Sequence, residues 1–241
     1  MTGPRPAVVV LVAGTGTDVG KTWVSARLLE AWRRAGLSVA ARKPAQSFAV
    51  GSGPTDAEVL GAASGEDPAT VCPPARWYPI PLAPPMAADA LGLPGPTVSD
   101  LVGAIAWPAP AADVGLVETA GGVRSPQADD GDVLDMAAAI VPDRIVLVAD
   151  AGLGTINAVR LSMGALGAGA GAGAGAGDQR PPPFVVLNRY DPSSDLHRRN
   201  LAWLRDVDTT AASEVTAAGL VALAGQLAPG ATAVGGGSKP A

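Results

Sequence analysis

Short apolar runs alternate along the chain with longer segments in which apolar residues recur every three or four positions. The runs predict β-strands at Ala7–Val12, Leu37–Lys43, Val114–Glu118, Arg144–Ala149 and Phe184–Asn188. The segments between them predict helices, the first beginning at Trp23 and stopping at Gly36, and later ones at Asp132–Val141 and Thr155–Leu166. Strands that alternate with helices are typical of a mostly parallel sheet flanked by helices. We therefore predict an α/β fold.

The first predicted strand runs directly into a glycine-rich segment, Ala13-Gly14-Thr15-Gly16-Thr17-Asp18-Val19-Gly20-Lys21-Thr22. Glycines allow backbone N–H groups to turn toward a phosphate, and the start of the following helix adds partial positive charge. Lys21 would reach the outer phosphates, and the Thr22 hydroxyl would ligate Mg2+. Five residues separate Gly14 from Gly20, one more than in the strict Walker pattern. The segment predicts a P-loop NTPase-like fold, with a glycine-rich turn and a chance Lys-Thr pair as the alternative.

Three polar residues, Lys43, Glu118 and Asn188, stand at the ends of predicted strands, where ligands gather in parallel sheets. A carboxylate that emerges from a buried strand is costly unless it is paired or bound to a metal. We therefore interpret Glu118 as an Mg2+ ligand, with a structural ion pair as the alternative. For Lys43 taken alone, a solvated lysine before a proline turn is the favoured interpretation. Asp56 has a similar alternative, the N-cap of a helix over Ala57–Ala63.

Composition and charge exclude several classes of function. The net charge is -5 and lysine and arginine do not cluster, which argues against a nucleic-acid partner. Because Cys72 and His197 are the single cysteine and histidine, an internal disulfide and a Cys/His metal site are excluded, and we expect His197 to be solvated. No stretch approaches ~20 uninterrupted apolar residues, and the first apolar run is too short for a signal sequence. We expect a soluble cytoplasmic protein with no membrane partner.

The 241 residues suffice for one α/β domain, which we place at residues 1–233. Within it, Gly167–Gly177 is an alternating Gly-Ala tract that leads into a run of prolines. We interpret residues 167–182 as a flexible surface crossover, with a silk-like strand as the less favoured alternative. Residues 234–241 are small and polar, which predicts a disordered tail.

Five segments follow one another in a specific order. They are the glycine-rich segment 14–22, Lys43-Pro44-Ala45-Gln46-Ser47, Asp56, Val117-Glu118-Thr119-Ala120-Gly121-Gly122 and Gly152-Leu153-Gly154-Thr155-Ile156-Asn157. This order, which covers roughly residues 7 to 190, resembles the dethiobiotin synthetase family, whose phosphate loop has the same extra residue. The resemblance implies an ATP- and Mg2+-dependent ligase of biotin biosynthesis that joins carbon dioxide to 7,8-diaminopelargonic acid and closes a cyclic urea. It also implies a homodimer with substrate sites at the interface.

The resemblance assigns roles to individual residues. The catalytic residues would be Lys21, Lys43 and Thr17. The nucleotide would be held by Thr15, Gly16, Thr17, Asp18, Val19, Gly20, Lys21, Thr22 and Asn188, and Mg2+ by Thr22, Asp56 and Glu118. The diamine end of the substrate would contact Ser47, Ala120, Gly121 and Gly122, and its carboxylate would contact Gly154, Thr155 and Asn157 from the other subunit. Carbamate phosphorylation depends on positioning and cations, which agrees with a site without Cys or His.

Several positions depart from the family pattern. Thr119 stands where Gly is usual and would bring a β-branched side chain beside the substrate, and Phe48 stands where a small residue is usual. After Asn188, the spacing to Asp191 matches the Asn-x-x-Asp pattern that reads guanine in many P-loop GTPases. An acceptor-only carboxylate does not match adenine. Because the family that the chain resembles generally uses ATP, the favoured interpretation is an ordinary Asp-Pro turn with Asn188 alone at the base. ATP is therefore expected, with the base preference left open.

Two other classes of function stay open on these residues. One is a related amidoligase of cofactor synthesis, and the other is a regulatory or partitioning ATPase. Lys43, Ser47 and the turn at Thr155–Asn157 favour the ligase, because simple hydrolysis needs none of them. A ligase should release little ADP until its acceptor is present, whereas a regulatory ATPase should hydrolyse slowly without a small substrate.

Overall fold

The central sheet has six parallel strands in the part of the chain that the computed structural model describes, which is residues 1–171, 182–206, 212–214 and 216–228. The strands are β1 Val8–Gly14, β2 Val39–Arg42, β3 Gln46–Ser47, β4 Trp77–Tyr78, β5 Val114–Glu118, β6 Arg144–Asp150, β7 Phe184–Asn188 and β8 Ala212–Glu214. The central sheet has the order β2-β5-β1-β6-β7-β8. The strands β3 and β4 form a separate parallel pair.

Helices cover both faces of the sheet, as a parallel sheet requires. Within the described residues they are α1 Lys21–Arg34, α2 Asp56–Ser64, α3 Pro68–Val71, α4 Pro84–Ala90, α5 Val98–Gly103, α6 Val133–Ile140, α7 Thr155–Gly171, α8 Asp195–Asp206 and α9 Ala217–Leu227. Among these residues, none of the helices is long and apolar enough to cross a membrane.

Strand β1 lies at the centre of two hydrophobic cores, and its side chains alternate between them. Val9 and Leu11 belong to the core formed with α4 to α8. Val10 and Val12 belong to the core formed with α1, α2, α3 and α9. Because β1 is buried on both faces, its carboxyl end is held rigidly, and the glycine-rich segment that follows starts from a fixed point.

Helix α1 buries one face as its apolar spacing predicts. Val24, Leu28, Leu29 and Trp32 are all buried against the second core. The Trp32 indole donates a hydrogen bond to the Ala224 carbonyl oxygen at 2.9 Å, which ties α1 to α9. The helix begins at Lys21, so its first turn carries the residues that the sequence assigns to phosphate and metal.

Most predicted elements are confirmed with small shifts at their ends. The strands β5 and β7 have the predicted bounds, β1 and β6 run further toward the cleft, and β2 ends at Arg42, so that Lys43 follows the strand. Helix α6 is also confirmed. The sequence patterns did not predict β3, β4, β8 or the helices α3, α4, α5, α8 and α9.

One boundary was wrong. The predicted helix ends at Leu166 and the predicted flexible crossover begins at residue 167, but α7 continues through Gly171. Alanine is the best helix former, and each added helical residue gains a hydrogen bond once the helix exists, which offsets the cost of the glycines. Residues 172–181 of the tract and the predicted tail at 234–241 lie outside the described residues.

Candidate nucleotide and metal site

A cleft of about 860 Å³ opens where β1, β2 and β5 end. Its walls come from residues 17, 18 and 20 of the loop and the first turn of α1, from residues 43, 46–49, 52 and 54–56, and from residues 81–84, 120–121 and 125–126, together with Arg189. Its volume lies in the range of sites for small molecules. The polar strand ends therefore meet in one place, as the sequence predicts for a parallel sheet.

The Lys21 ammonium is directed across the mouth of the loop that follows β1. It donates hydrogen bonds to the Gly16 carbonyl oxygen at 3.0 Å and the Gly121 carbonyl oxygen at 2.7 Å. The side chain is almost fully buried, with 7% of its surface exposed. Burial, and secondarily the nearby charge of Lys43, lower the pKa of Lys21 to about 8. Its partners are neutral carbonyl groups, so a phosphate would be its first anionic partner in direct contact.

The loop places some of its residues in the cleft and others behind it. Thr17 and Asp18 line the cleft. Thr15, Gly16 and Val19 are not among the lining residues. The Thr15 N–H donates to a carbonyl of β6 at 2.9 Å, so this amide is already engaged within the sheet.

Gly20 is required by a close approach as well as by its backbone conformation. Its φ of 88° lies in the left-handed region. A Cβ at this position would stand 1.9 Å from Nδ2 of Asn188. That amide nitrogen donates to the Val19 carbonyl oxygen at 3.0 Å, so Asn188 supports the loop from below. Asn188 is 6% exposed.

Two carboxylates and two side chains that can donate hydrogen bonds meet beside the loop. The Thr22 hydroxyl oxygen lies 2.8 Å from Oδ1 of Asp56 and 2.8 Å from Oε1 of Glu118. The Lys43 ammonium lies 2.8 Å from Oδ2 of Asp56 and 2.8 Å from Oε1 of Glu118. Glu118 is fully buried and Lys43 is 2% exposed. The four residues come from α1, α2, β5 and the end of β2.

The structure decides between the alternatives for two of these residues. Lys43 is buried and paired, so a solvated lysine is wrong for this position. The N-cap of α2 is Thr55, whose side chain accepts from the Glu58 N–H in a capping box. Asp56 is the first residue of the helix, and its carboxylate is turned toward Lys43 instead of capping the helix. For Glu118 the ion pair is present and the metal assignment stays a prediction.

The electrostatics of Lys43 and Asp56 follow from this pairing. Burial alone would lower the pKa of Lys43, but the carboxylates of Asp56 and Glu118 outweigh it and raise the pKa. For Asp56, burial acts to raise the pKa, and the charge and hydrogen bond of Lys43 overcome it, so the pKa is lowered. Both groups are charged at neutral pH.

The donor set of this cluster suits Mg2+, which prefers hard oxygen ligands. Thr22, Asp56 and Glu118 present a hydroxyl oxygen and two carboxylate oxygens, and each carboxylate oxygen lies 2.8 Å from the hydroxyl oxygen. A hydroxyl has only one proton, so it cannot donate to both carboxylates at once. A cation shared by the three oxygens would resolve that conflict, and the residues therefore fit the metal.

Two polar residues that the sequence patterns did not single out hold this arrangement. The Ser25 hydroxyl, one turn along α1, donates to Oε2 of Glu118 at 2.7 Å, and both side chains are fully buried. The side chain of Gln127 accepts from the Ala120 N–H at 2.9 Å and donates to the Ala120 carbonyl at 2.7 Å. A short local pattern could not reveal either contact, although a serine on the buried face of α1 was a weak signal.

The residues assigned to the diamine end of the substrate are partly in the cleft. Ser47, Phe48, Ala120 and Gly121 line it. Gly122 lies behind it, where a Cβ would stand 3.2 Å from the Cα of Gly16. The side chain of Gln46 accepts from the first turn of α2, at the Ala57 N–H, over 2.9 Å.

The expectation for Thr119 was wrong. This side chain is buried and its hydroxyl donates to the Val12 carbonyl oxygen at 3.2 Å, so it is directed at β1 and not at the cleft. Because the Thr119 hydroxyl is hydrogen-bonded within the sheet, this side chain does not line the cleft. Phe48, in contrast, lines the cleft.

The segment assigned to the substrate carboxylate lies elsewhere. Gly154 and Asn157 line a second depression of about 590 Å³, to which Leu153 and Leu161 also contribute. None of these residues lines the first cleft. The exposed fractions of Leu153 and Leu161 are 91% and 68%. Within one subunit, the structure does not bring this segment to the phosphate loop.

Thr155 begins α7, and its backbone is held by its neighbours. The side chain of Asn200 donates to the carbonyls of Ala151 and Gly152 at 2.9 and 3.0 Å, which fixes the turn before the helix. Thr155 is 5% exposed and its hydroxyl has no hydrogen-bond partner among the described residues.

The turn after β7 links Asn188 to the phosphate loop. Arg189 has a φ of 55°, and its guanidinium donates to Asp150 at 2.9 Å and to the Asp18 carbonyl at 2.7 Å. One carboxylate oxygen of Asp191 accepts from the N–H and the hydroxyl of Ser193, in a turn of the kind that aspartate often makes. His197 is half-buried and accepts from the Asp191 N–H at 3.0 Å, so it is not simply solvated.

A parallel α/β sheet with a glycine loop between β1 and α1, and a buried lysine directly after that loop at the start of α1, defines a P-loop NTPase-like protein. A family model described as "AAA domain" matches residues 9–196. The chain is 41% identical to "ATP-dependent dethiobiotin synthetase BioD" of Rhodococcus jostii (strain RHA1) over 160 residues, which are 66% of this chain and 68% of that protein. It is 40% identical to the protein with the same description from Anaeromyxobacter dehalogenans (strain 2CP-C), over 77% of this chain and 78% of that protein. The chain belongs to the dethiobiotin synthetase family.

Among solved structures, the chain is similar to chloroplast FtsY from Physcomitrella patens. The TM-score is 0.48 and the sequence identity is 14%, and the match covers 92% of this chain and 66% of that one.

Proposed function

We propose that the protein catalyses the ATP-dependent carboxylation and ring closure of 7,8-diaminopelargonic acid to dethiobiotin. The observation that carries the proposal is the position of Lys43, a buried second ammonium beside the loop lysine Lys21, in the wall of the cleft. Hydrolysis of a nucleotide alone does not require it. Membership of the family, whose named relatives are ATP-dependent dethiobiotin synthetases, supports the same conclusion.

The reaction needs no protein nucleophile. One substrate amine attacks carbon dioxide and loses a proton to give a carbamate, and a carbamate oxygen then takes the γ-phosphoryl group from ATP as ADP leaves. The second amine attacks the carbonyl carbon, phosphate leaves, and the cyclic urea closes. Each step can be accelerated by holding the reacting groups together and by cations placed where negative charge develops.

The chain's own residues supply these cations and contacts. Lys21 would hold the outer phosphates, with the loop residues from Gly16 to Thr22 around them, and Lys43 would stabilise charge on the carbamate and γ-phosphoryl oxygens. Thr22, Asp56 and Glu118 would hold Mg2+, which when bound neutralises charge on the phosphates. Thr17 would lie over the transferring group, because it lines the cleft next to Gly121.

ADP release with and without diaminopelargonate plus bicarbonate tests the proposal. We expect little ADP from the enzyme with ATP alone, and stoichiometric ADP and dethiobiotin once both substrates are present. Glu118→Gln should abolish synthesis, since it removes a charged oxygen of the cluster, and Lys21→Ala should abolish it separately. ADP release at the same steady rate with and without the diamine would instead indicate a regulatory ATPase. Turnover with another acid or amine would indicate a related amidoligase.

We also propose that two subunits build each site. The support is the depression at Gly154 and Asn157, which has exposed leucines around it and lies away from the cleft of its own subunit. The start of a helix such as α7 suits a carboxylate. Mixing an inactive Lys21→Ala protein with an inactive Asn157→Ala protein should restore part of the activity. If verified mixed dimers stay inactive, the sites are not shared.

The base preference is proposed to be adenine, with Asn188 at the base. The support is the turn at Asp191, whose carboxylate is already engaged by Ser193. Turnover with ATP, GTP and CTP should show an ATP preference that Asp191→Ala leaves unchanged. A GTP preference that disappears in Asp191→Ala would contradict this assignment. We also propose that the protein acts in the cytoplasm, which supplies ATP.

A further inference from the structure

Lys43 contacts the two carboxylates that would hold the metal. Its ammonium lies 2.8 Å from Asp56 Oδ2 and 2.8 Å from Glu118 Oε1, and its third contact is the Thr119 carbonyl oxygen at 3.3 Å. The ammonium thus has an oxygen partner for each of its three protons. With Lys43 2% exposed and Glu118 fully buried, this ion pair is screened little by water or salt.

The same Glu118 oxygen, Oε1, also contacts the hydroxyl of Thr22 at 2.8 Å. A divalent cation bound by Thr22, Asp56 and Glu118 would therefore stand close to the Lys43 ammonium. Two cations this close repel each other strongly where little water is present. Both draw their stability from the same pair of carboxylates, and each weakens the binding of the other.

We propose that the Lys43 ammonium competes with the divalent cation for Asp56 and Glu118, so that tight metal binding requires nucleotide phosphates that offer Lys43 another anionic partner. This inference rests on the nucleotide and metal site of the proposed function and does not depend on the identity of the acceptor. It gives Lys43 a second role, as a residue that couples metal affinity to the presence of the triphosphate. Metal would enter together with the nucleotide and not before it.

Lys21 provides a matched control within the same cleft. It is also a buried lysine, but its two hydrogen bonds go to carbonyl oxygens of Gly16 and Gly121. Its removal leaves no buried carboxylate without a direct partner. Removal of Lys43 leaves Glu118 and Asp56 without their ammonium, which is costly in a buried site unless another cation takes its place.

Binding of Mn2+ to the nucleotide-free full-length chain, followed by electron paramagnetic resonance of the free ion, tests the inference. We expect Lys43→Met to bind Mn2+ at least about tenfold more tightly than the wild type, because one positive charge has been removed beside the metal. Lys21→Met should tighten Mn2+ binding much less than Lys43→Met does, because the Lys21 ammonium contacts neither carboxylate and acts on them only from a distance. Adding a non-hydrolysable ATP analogue should tighten binding to the wild type much more than to Lys43→Met. A nucleotide-free Lys43→Met protein that binds Mn2+ no better than the wild type would overturn the inference.

A second variant at the same position, Lys43→Gln, controls for a folding defect in Lys43→Met. Lys43→Gln keeps N–H donors for the same oxygens but has no charge, and it should change Mn2+ affinity in the same direction. Mg2+ should also raise the thermal unfolding midpoint of both Lys43 variants more than that of the wild type, and an equal rise would count against competition. If the wild type with the ATP analogue does not bind Mn2+, or if Glu118→Gln does not weaken that binding, the proposed metal site itself is wrong. That outcome differs from a failure of the competition alone.

Discussion

Removing the Ser25 hydroxyl tests whether Glu118 must be held in one orientation to serve the metal. Ser25 donates to Oε2 of Glu118 at 2.7 Å, while Oε1 of the same carboxylate contacts Thr22 and Lys43. In Ser25→Ala, Oε2 loses this donor in a fully buried environment. The carboxylate can then rotate, and Oε1 would leave the position that the metal shares with Thr22.

The magnitude follows from the charge and burial of the acceptor. A hydrogen bond to a charged group contributes about 1.5–3 kcal/mol, so we expect the free energy of unfolding of Ser25→Ala to fall by about 2 kcal/mol. Loss of a partner that orients a metal ligand typically costs about 10–100-fold in metal affinity or activity. We therefore expect the Mg2+ concentration for half-maximal synthesis to rise by at least about tenfold. The maximal rate at saturating Mg2+ should recover most of its wild-type value.

Two measurements distinguish an effect on the orientation of the Glu118 carboxylate from an effect on protein stability alone. Urea unfolding gives the stability, and the Mg2+ dependence of synthesis or of nucleotide-dependent Mn2+ binding gives the metal affinity. Ser64→Ala is the matched control, because Ser64 is also a buried helical serine, but its hydroxyl donates only to a backbone carbonyl at 3.4 Å. The control should change stability slightly and the Mg2+ dependence not at all. Ser25→Cys, which keeps a weak donor, should lie between alanine and wild type.

A Ser25→Ala protein that loses stability but keeps the wild-type Mg2+ dependence would refute this role of Ser25. In that case the hydroxyl satisfies a buried carboxylate and has no influence on the metal. A protein with unchanged stability and unchanged Mg2+ dependence would show that the hydrogen bond contributes nothing measurable.

Other residues give predictions of different kinds. Because the pKa of Lys21 is about 8, nucleotide binding should take up roughly 0.75 proton at pH 8.5 and little below pH 7. Calorimetry in buffers of different ionisation enthalpy measures this uptake. Lys21→Arg should show none, because the charge of arginine is permanent. Gly20→Ala should raise the Kd for ATP at least about tenfold in a binding titration, because its φ of 88° strains any side chain and its Cβ would stand 1.9 Å from Nδ2 of Asn188. Trp32→Phe should lower the free energy of unfolding by about 1–2 kcal/mol more than Trp107→Phe, because the Trp32 indole donates a hydrogen bond whereas the Trp107 indole has no partner among the described residues.

The sequence was most informative where a polar residue ends a buried, apolar strand. Glu118 and Asn188 end runs of apolar residues, and parallel topology brings such ends together, so both were predicted to meet the phosphate loop. The structure places Glu118 beside Thr22 and Asn188 beside Gly20. Five of the six strands described for the central sheet, all except β8, were predicted for the same reason, since apolar strands buried on both faces leave a strong and local signal.

Contacts between distant segments left no such signal. Ser25 and Glu118 are 93 residues apart in the chain, and nothing in the neighbourhood of either predicts that they pair. Lys43 taken alone favoured a solvated lysine, because the residues around it do not show that Asp56 and Glu118 lie within 2.8 Å. The short pair β3 and β4 was missed because two residues cannot display a period.

The two lysines of the cleft shift their pKa values in opposite directions, and the difference lies in their partners. Both are buried, which lowers the pKa of any lysine. Two carboxylates reverse the shift at Lys43, whereas Lys21 donates to carbonyl groups and has its pKa lowered to about 8. Below pH 8 most Lys21 side chains are protonated and can bind a phosphate directly. As the pH rises through that value, Lys21 of the nucleotide-free protein loses its proton. Binding of the triphosphate must then restore that proton, so Lys21 makes nucleotide affinity fall with rising pH while Lys43 stays charged throughout.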